Sequence, residues 1–470
     1  MKKTFFTLIL LALFPAMGIA QEDNDGNWFD AMIDSLVQSS FAQFDEKYNT
    51  YIFQDKPDNL GESQYNNDSI DMNRGRFAQR RRSDTHSLYA TPYDSRLSRS
   101  SLLPYPWTGY DEHLLLRYNR VEALFLGLNF PTRYHWGGRA ISLFGSAGYG
   151  FANHRWRYGG GLSQQFSTGR SLFEVGVEGH SLTDTKDHWI VGEGENSLAA
   201  FFLRDDYMNY FGREGFSIWT GFYGRWTSTD LQLRVAYLND QYQSLDRNTN
   251  WSLFGSGKMF RENPPVLEGR MKSIMTTFEI HNERARSYFT SGWNGAIGVE
   301  VSRPSLGSDF SFTRYIIELI RYQPLGRYET FNIRLRAGSG TGDLPPQKGF
   351  ELGGISTLPA FSYKDFAGNR LLLLNGEYIL NSDLFDDEEL FPSWLLCNLN
   401  LILFADAGYT STVSPDDGLL SGYKDFSART LKSDWGFGIG TRDAKLRLGF
   451  SWRTDVAEPV RIFLRLSRPF

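Results

Sequence analysis

The chain has 470 residues, with 49 Lys and Arg against 54 Asp and Glu; a formal net charge of -5 gives no basic footprint and excludes a nucleic-acid partner. Aromatic residues make up 16% of it beside 46 glycines and 17 prolines, a balance that suits many strands, aromatic girdles and tight turns. The one cysteine, Cys397, excludes an intramolecular disulfide, and past the first twenty residues no run approaches the roughly 18 apolar residues of a membrane helix.

At the amino end, Lys2 and Lys3 precede an apolar run from Phe5 to Phe14, and small residues through Ala20 precede Gln21. This pattern predicts a secretory signal peptide over residues 1–20, cleaved near Ala20, and no cysteine follows to carry a lipid anchor. Residues 21–115 differ in character. Trp28, Phe29, Met32, Ile33, Leu36, Val37, Phe41 and Phe44 recur at three-to-four spacing and predict one amphipathic helix. A polar stretch containing Arg80-Arg81-Arg82 follows and reads as loop or disorder. The segment is expected to be a periplasmic helix and linker, packed on a rim or leading into the next domain; a plug or a docking helix are the alternatives.

From residue 116 the period changes to two. Leu124, Leu126, Leu128 and Phe130 share one face; Leu231, Leu233, Val235 and Tyr237 alternate with Gln232, Arg234 and Ala236. Phe331, Ile333 and Leu335 alternate with Asn332, Arg334 and Arg336, and Leu446, Leu448, Phe450 and Trp452 with Lys445, Arg447, Gly449 and Ser451. Near the end, Val460, Ile462, Leu464 and Leu466 alternate with Arg461, Phe463 and Arg465. An aliphatic outside and a charged inside are what a strand between lipid and water requires. A soluble sandwich would need a second sheet over every apolar face, whereas a closed barrel pairs all its backbone groups around a ring. The terminal Phe470 also resembles the carboxy-terminal signal of bacterial outer-membrane barrels, although Arg468 and Pro469 depart from it.

Strands are expected near 121–130, 140–150, 155–166, 172–180, 197–202, 215–226, 229–239, 270–281, 293–302, 310–322, 328–338, 370–381, 394–407, 431–440, 445–453 and 460–470. The predicted fold is therefore all-β: a sixteen-stranded antiparallel transmembrane β-barrel over 116–470, with a short amino-terminal helical or disordered segment. An even count puts both ends on the periplasmic side. Connections 151–154, 227–228, 323–327 and 441–444 then fall on that side, and the long ones at 240–269, 339–369 and 408–430 fall outside. The stretches 181–196, 282–292 and 382–393 are exceptions, long on the periplasmic side. The barrel is expected to close by a short pairing of 121–130 with 460–470, because Pro469 removes a ladder donor. Parity turns Arg234, Arg334, Arg336, Glu377, Phe404, Asp406, Lys445, Arg447, Arg461 and Arg465 inward and makes Cys397 a small lipid-facing residue.

Catalytic signals are missing from the sequence. Its seven histidines show no metal-ligand spacing. The Gly338–Asp343 stretch opens into Pro345-Pro346 rather than a helix, so it predicts a flexible loop and not a phosphate cradle. Neither an enzyme nor a cofactor is expected.

The stretch from Phe350 to Gly408 resembles the carboxy-terminal barrel of the Omp85 superfamily, also called bacterial surface antigen D15. Gly353-Gly354 and Leu358-Pro359-Ala360-Phe361 stand where that family has a glycine pair and a Leu-Arg-Gly-Phe/Tyr motif. Gly368 to Leu372, Asn375 to Tyr378, the Phe404, Asp406 and Gly408 triplet, and Gly436, Gly438 and Gly440 match the strands that follow. Tyr118-Asn119-Arg120-Val121-Glu122 looks like the opening of such barrels. The resemblance implies sixteen strands and a loop folded into the lumen, with Gly353, Gly354, Leu358, Pro359, Ala360 and Phe361 as its lid. Glu377, Phe404, Asp406, Gly408, Arg334, Arg336, Arg447, Arg461 and Arg465 would form the wall.

Two departures stand out. The family's loop arginine, a latch onto the aspartate of the Phe-x-Asp-x-Gly strand, is Pro359 here, and no periplasmic POTRA repeats precede the barrel. Phe361 is expected to hold the loop near Asp406, and a wall arginine to pair with Asp406 or Glu377 instead; anion attraction is the other use for so basic a wall. The implied function is insertion of outer-membrane proteins, or translocation of protein or lipid, in the Gram-negative outer membrane. A passive or gated channel, or a structural subunit of an outer-membrane complex, is the alternative. Expected partners are outer-membrane lipid and lipopolysaccharide, with other outer-membrane or periplasmic proteins as further candidates.

Overall fold

The computed structural model describes residues 114–466 except 137–138, 169–170, 227, 255–256, 287–288, 382–398, 425, 428 and 442–445. The expectations for the signal peptide, residues 21–113, Cys397, Lys445, Arg468, Pro469 and Phe470 lie outside the described residues.

Sixteen strands among the described residues form one antiparallel ladder in sequence order. They are β1 Leu114–Asn119, β2 Ala123–Trp136, β3 Arg139–Gly150, β4 Arg155–Thr168, β5 Ser171–Thr185, β6 Tyr210–Trp226, β7 Thr229–Ser244 and β8 Gly269–His281. The second half comprises β9 Phe289–Ser302, β10 Phe312–Pro324, β11 Glu329–Gly342, β12 Arg370–Leu380, β13 Leu399–Ser411, β14 Lys432–Thr441, β15 Arg447–Arg453 and β16 Arg461–Arg465. A three-residue strand, Arg284–Arg286, extends the β8–β9 hairpin. One helix, α1, spans Glu193–Leu203 in the β5–β6 connection.

The expected alternation holds along these strands. In β5, Phe173, Val175 and Val177 are exposed while Glu174, Glu178 and His180, at positions of the opposite parity, are buried. The same reversal, apolar outside and polar inside, puts Arg334 and Arg336 of β11 in the interior. Among the described residues no helix is long and apolar enough to cross a membrane, which says nothing of crossing by strands.

Two sequence expectations fail together. Residues 197–202 are no strand: they lie in α1, so the expected fifth strand does not exist. Leu114–Asn119, which lies ahead of the first expected strand and crosses the expected boundary at 115/116, is instead a strand, paired along its length with Ala123–Leu128. Asn119 makes the turn between them, its Oδ1 accepting from the N–H groups of Val121 at 2.9 Å and Glu122 at 2.7 Å. The count stays at sixteen, but the ends of the first four expected strands are exchanged. Connection 151–154 and the long segment 186–209 now lie with 245–268, 343–369 and 412–431 at one end of the sheet. The strand ends joined by the short links after β2, β4, β6, β10 and β14 lie at the other, as do those on either side of the long link between β12 and β13. The expected seam also changes: β2 pairs with β1 and β3, so residues 123–128 are not the sheet's first edge.

The sheet curls around the 343–369 connection. One apolar cluster joins Phe350, Leu352, Leu358, Ala360 and Phe361 of this loop to Trp219 of β6, Leu238 of β7, Met275 of β8, Ala296 of β9, Ile316 of β10 and Leu371 and Leu373 of β12. The Gly338–Asp343 stretch is ordered as the end of β11 and its exit, not a flexible loop.

Candidate functional site

The inner loop holds its shape by local bonds. Phe350–Leu352 pairs with Phe366–Gly368 as a small hairpin at its neck. Gly353 (φ +114) and Gly354 (φ +85) then turn the chain through conformations open to glycine. Thr357 Oγ1 accepts from Gly353 N–H and donates to Gly354 O, both at 3.0 Å. Leu358, Ala360 and Phe361 are buried, and Pro359 is partly so.

Hydrogen bonds from four strands, β11, β12, β14 and β16, hold this tip. Arg334 of β11 donates to Ser356 O and, through Nε at 3.0 Å and Nη2 at 2.8 Å, to Asn375 Oδ1 of β12. Asn375 Nδ2 in turn donates to Thr357 O at 2.9 Å and Asp406 Oδ1 of β13 at 2.7 Å. Ala360 N–H donates to Asp434 Oδ2 of β14 at 2.8 Å, and Asp434 stands opposite Asp406 in the ladder. Arg465 of β16 donates to Ser356 Oγ. Arg453 lies 4.5 Å from the centre of the Phe361 ring, a cation–π contact. A β-carbon on Gly408 would stand 2.7 Å from Leu352 Cδ1, so glycine there lets the loop lie against the wall.

The arrangement inverts the latch implied by the resemblance. There the loop carries the arginine and the wall the carboxylate; here wall arginines reach the loop's carbonyl and hydroxyl oxygens, and a loop N–H reaches a wall carboxylate. Arg334 meets Asp406 through Asn375. Glu377 pairs directly with Arg447 at 2.8 Å and accepts from Asn332 Nδ2 at 2.9 Å. Arg336 pairs with Glu318. Arg461 reaches Ser362 Oγ at 3.2 Å but is exposed at the rim. Phe404 faces Phe463 at 5.8 Å between ring centres. Beside the tip lies a cavity of about 40 Å³ lined by Ser356, Pro359, Glu377, Phe404, Asp406, Arg447 and Arg465 among others, roomy enough for water.

A second connection also folds inward, and the sequence reading missed it. Asp187 meets Lys364 of the inner loop at 2.7 Å, and Glu351 meets both Lys186 at 3.2 Å and Lys364 at 2.6 Å. Burial alone would raise the Asp187 carboxyl, but Lys364 and Lys186 hold it below the ordinary carboxylate value. Trp189 lies under Arg336 at 4.1 Å, and Ile190 and Val191 pack with Val121 and Ile355. Two acids in one turn followed by Leu198-Ala199-Ala200 were the available sign of a helix here.

Residues 105–290 match a family model described as the carboxy-terminal domain of a family of unknown function, DUF5686. That match does not reach the Phe350–Gly408 stretch. No curated protein matches the chain. Among solved structures it is similar to BamA from Haemophilus ducreyi lacking POTRA domains 1-3, with a TM-score of 0.45 and 13% identity over 74% of this chain and 67% of that one. It is also similar to CdiB from Acinetobacter baumannii (TM-score 0.39, 10% identity, 73% of this chain) and CdiB from Escherichia coli (0.36, 12%, 75%). The chain spans 56% and 61% of those two CdiB chains.

Proposed function

We propose that the chain is an Omp85-like outer-membrane barrel, acting in the insertion of outer-membrane proteins or the translocation of protein or lipid. The observation that carries this reading is the inner loop. Its Gly-Gly and Leu-Pro-Ala-Phe positions are seated on the inner wall, where the resemblance requires a lid. Apolar side chains such as Leu126, Ile218, Ile317 and Leu464 are exposed on the outer face, which suits contact with lipid. The charge, apolar run and small residues of the first twenty positions support export.

The seated loop weighs against a standing pore, since Arg334, Asn375 and Asp434 bind the loop rather than line a passage. Depletion of the protein in its host, followed by quantitative proteomics and lipid analysis of the isolated outer membrane, tests the reading. Loss of a subset of outer-membrane proteins or surface lipids is expected. Unchanged composition, with the purified protein giving a steady anion-preferring conductance in planar bilayers, would establish the channel reading instead.

A further inference from the structure

The terminal strands of the ladder each have one neighbour among the described pairings, β2 for β1 and β15 for β16, and alternate residues of each turn their N–H off the edge away from that neighbour. Leu124 O accepts from Phe151 N–H at 3.0 Å, so the backbone groups of Leu124 face β3. Its partner Tyr118 therefore points its own N–H away from β2. That N–H donates to Ser197 Oγ of α1 at 3.1 Å. At the other edge, Leu446 O accepts from Thr441 N–H at 2.8 Å and so faces β14. Leu466, one residue past the Arg447–Arg465 pair, sends its N–H outward by the same parity, and it donates to Glu195 Oε1 of α1 at 2.9 Å. Two of these edge donors, from opposite ends of the barrel domain, thus finish on side chains two residues apart on one helix.

Ion pairs repeat the pattern. Glu193 meets Arg117 of β1 at 3.1 Å and Glu195 meets Arg465 of β16 at 2.7 Å. Both acids sit in the first turn of α1, where the helix dipole favours them. Farther along, Phe201 covers the outward ring of Tyr118 edge-on at 5.4 Å.

We propose that α1 is a strap across the seam between β1 and β16, closing it by side-chain caps at Tyr118 and Leu466 in place of strand-to-strand pairing there, and that the seam opens when α1 leaves. An unpaired strand edge is a template for another chain, and a cap satisfies its donors without making a ladder. A closure built from one helix's side chains can be released without unzipping a sheet. The proposal is independent of what, if anything, crosses the seam.

Amide hydrogen exchange at residue resolution, on the full chain in lipid nanodiscs, tests it. In the native protein the Tyr118 and Leu466 amides are expected to be protected. Ser197→Ala should speed exchange at Tyr118 roughly tenfold, the loss of about one hydrogen bond, and Glu195→Ala should do the same at Leu466. Phe125, within the β1–β2 ladder, should stay protected in both. Ser197→Thr and Glu195→Gln keep an acceptor oxygen, so they should retain protection and provide folded references. Continued protection of both amides in Ser197→Ala/Glu195→Ala would mean that β1 and β16 pair with each other, and the strap would be wrong. Unprotected amides in the native protein would overturn it equally.

Discussion

Replacing Arg334 with leucine removes the group that ties the inner loop to two strands at once. The guanidinium is almost fully buried and binds two independent acceptors, Ser356 O on the loop and Asn375 Oδ1 on the wall. A hydrogen bond from a charged donor contributes about 1.5–3 kcal/mol, and of the two acceptors only Ser356 O is lost when the loop unseats, so the loop-in state should lose about 1.5–3 kcal/mol. At 1.4 kcal/mol per decade this moves the balance between seated and unseated loop by about 10–10² toward the unseated form. Phe361, Leu358 and the Ala360–Asp434 bond remain, so the loop is weakened rather than abolished. Planar-bilayer recording should then show frequent large openings in Arg334→Leu where the native protein shows few, and the Ala360 amide should exchange faster by the same factor. Arg334→Lys, which keeps the charge but not the planar fork, should fall between the two. If Arg334→Leu leaves both openings and Ala360 protection at native levels, the loop is held by its apolar anchor alone and the wall arginine is not a latch.

Gly408→Val should unseat the loop from the other side, because its β-carbon would press on Leu352 Cδ1 at 2.7 Å and Leu358 Cδ1 at 3.2 Å; Gly408→Ala should be milder, since both neighbours are flexible tips. Both are read by the same openings, and a silent Gly408→Val would show that the wall can give. Glu377→Ala strands the buried Arg447 and should cost about 3–5 kcal/mol, whereas Glu377→Leu/Arg447→Met should recover most of that; the temperature at which the folded band is lost in electrophoresis measures both. Asp187, held below its ordinary value, supports the contact between the two inner loops fully above about pH 4, and that support fades as pH falls through the lower folded value. Protease cutting near residues 186–192 should rise with acidification in the native protein, while Asp187→Asn should be cut readily and evenly across that range.

Much of the fold was legible because strand parity is a local rule. Arg334, Glu377, Asp406 and Arg447 could be placed inward from their neighbours alone, and they are inward. The failures were local too. Leu198 to Leu203 is a short apolar run that periodicity cannot assign to helix or strand, and the three leucines opening β1 hide its alternation. Each error moved the count by one in opposite directions, so the total survived while the first four strands pointed the wrong way. That inversion made 181–196 look like an oversized periplasmic turn, when its first five residues finish β5 and the rest opens the long connection 186–209 that carries α1.

The site was less legible because its contacts join residues far apart in sequence. Nothing near Glu195 announces Arg465, nor anything near Ser356 Arg334; such pairs follow from how the sheet curls, which no local pattern records. The motif reading failed in a related way. It looked for a cation at position 359, in the loop, and found proline. The cations instead stand on β11 and β16, where only parity finds them, and they meet the loop at backbone and hydroxyl oxygens. Those acceptors are less demanding than a carboxylate partner, because a carbonyl is available at every residue. A loop held this way can change its side chain at the half-exposed Pro359 without losing its seat, provided the wall arginines, Asp434 and the buried Ala360 and Phe361 remain.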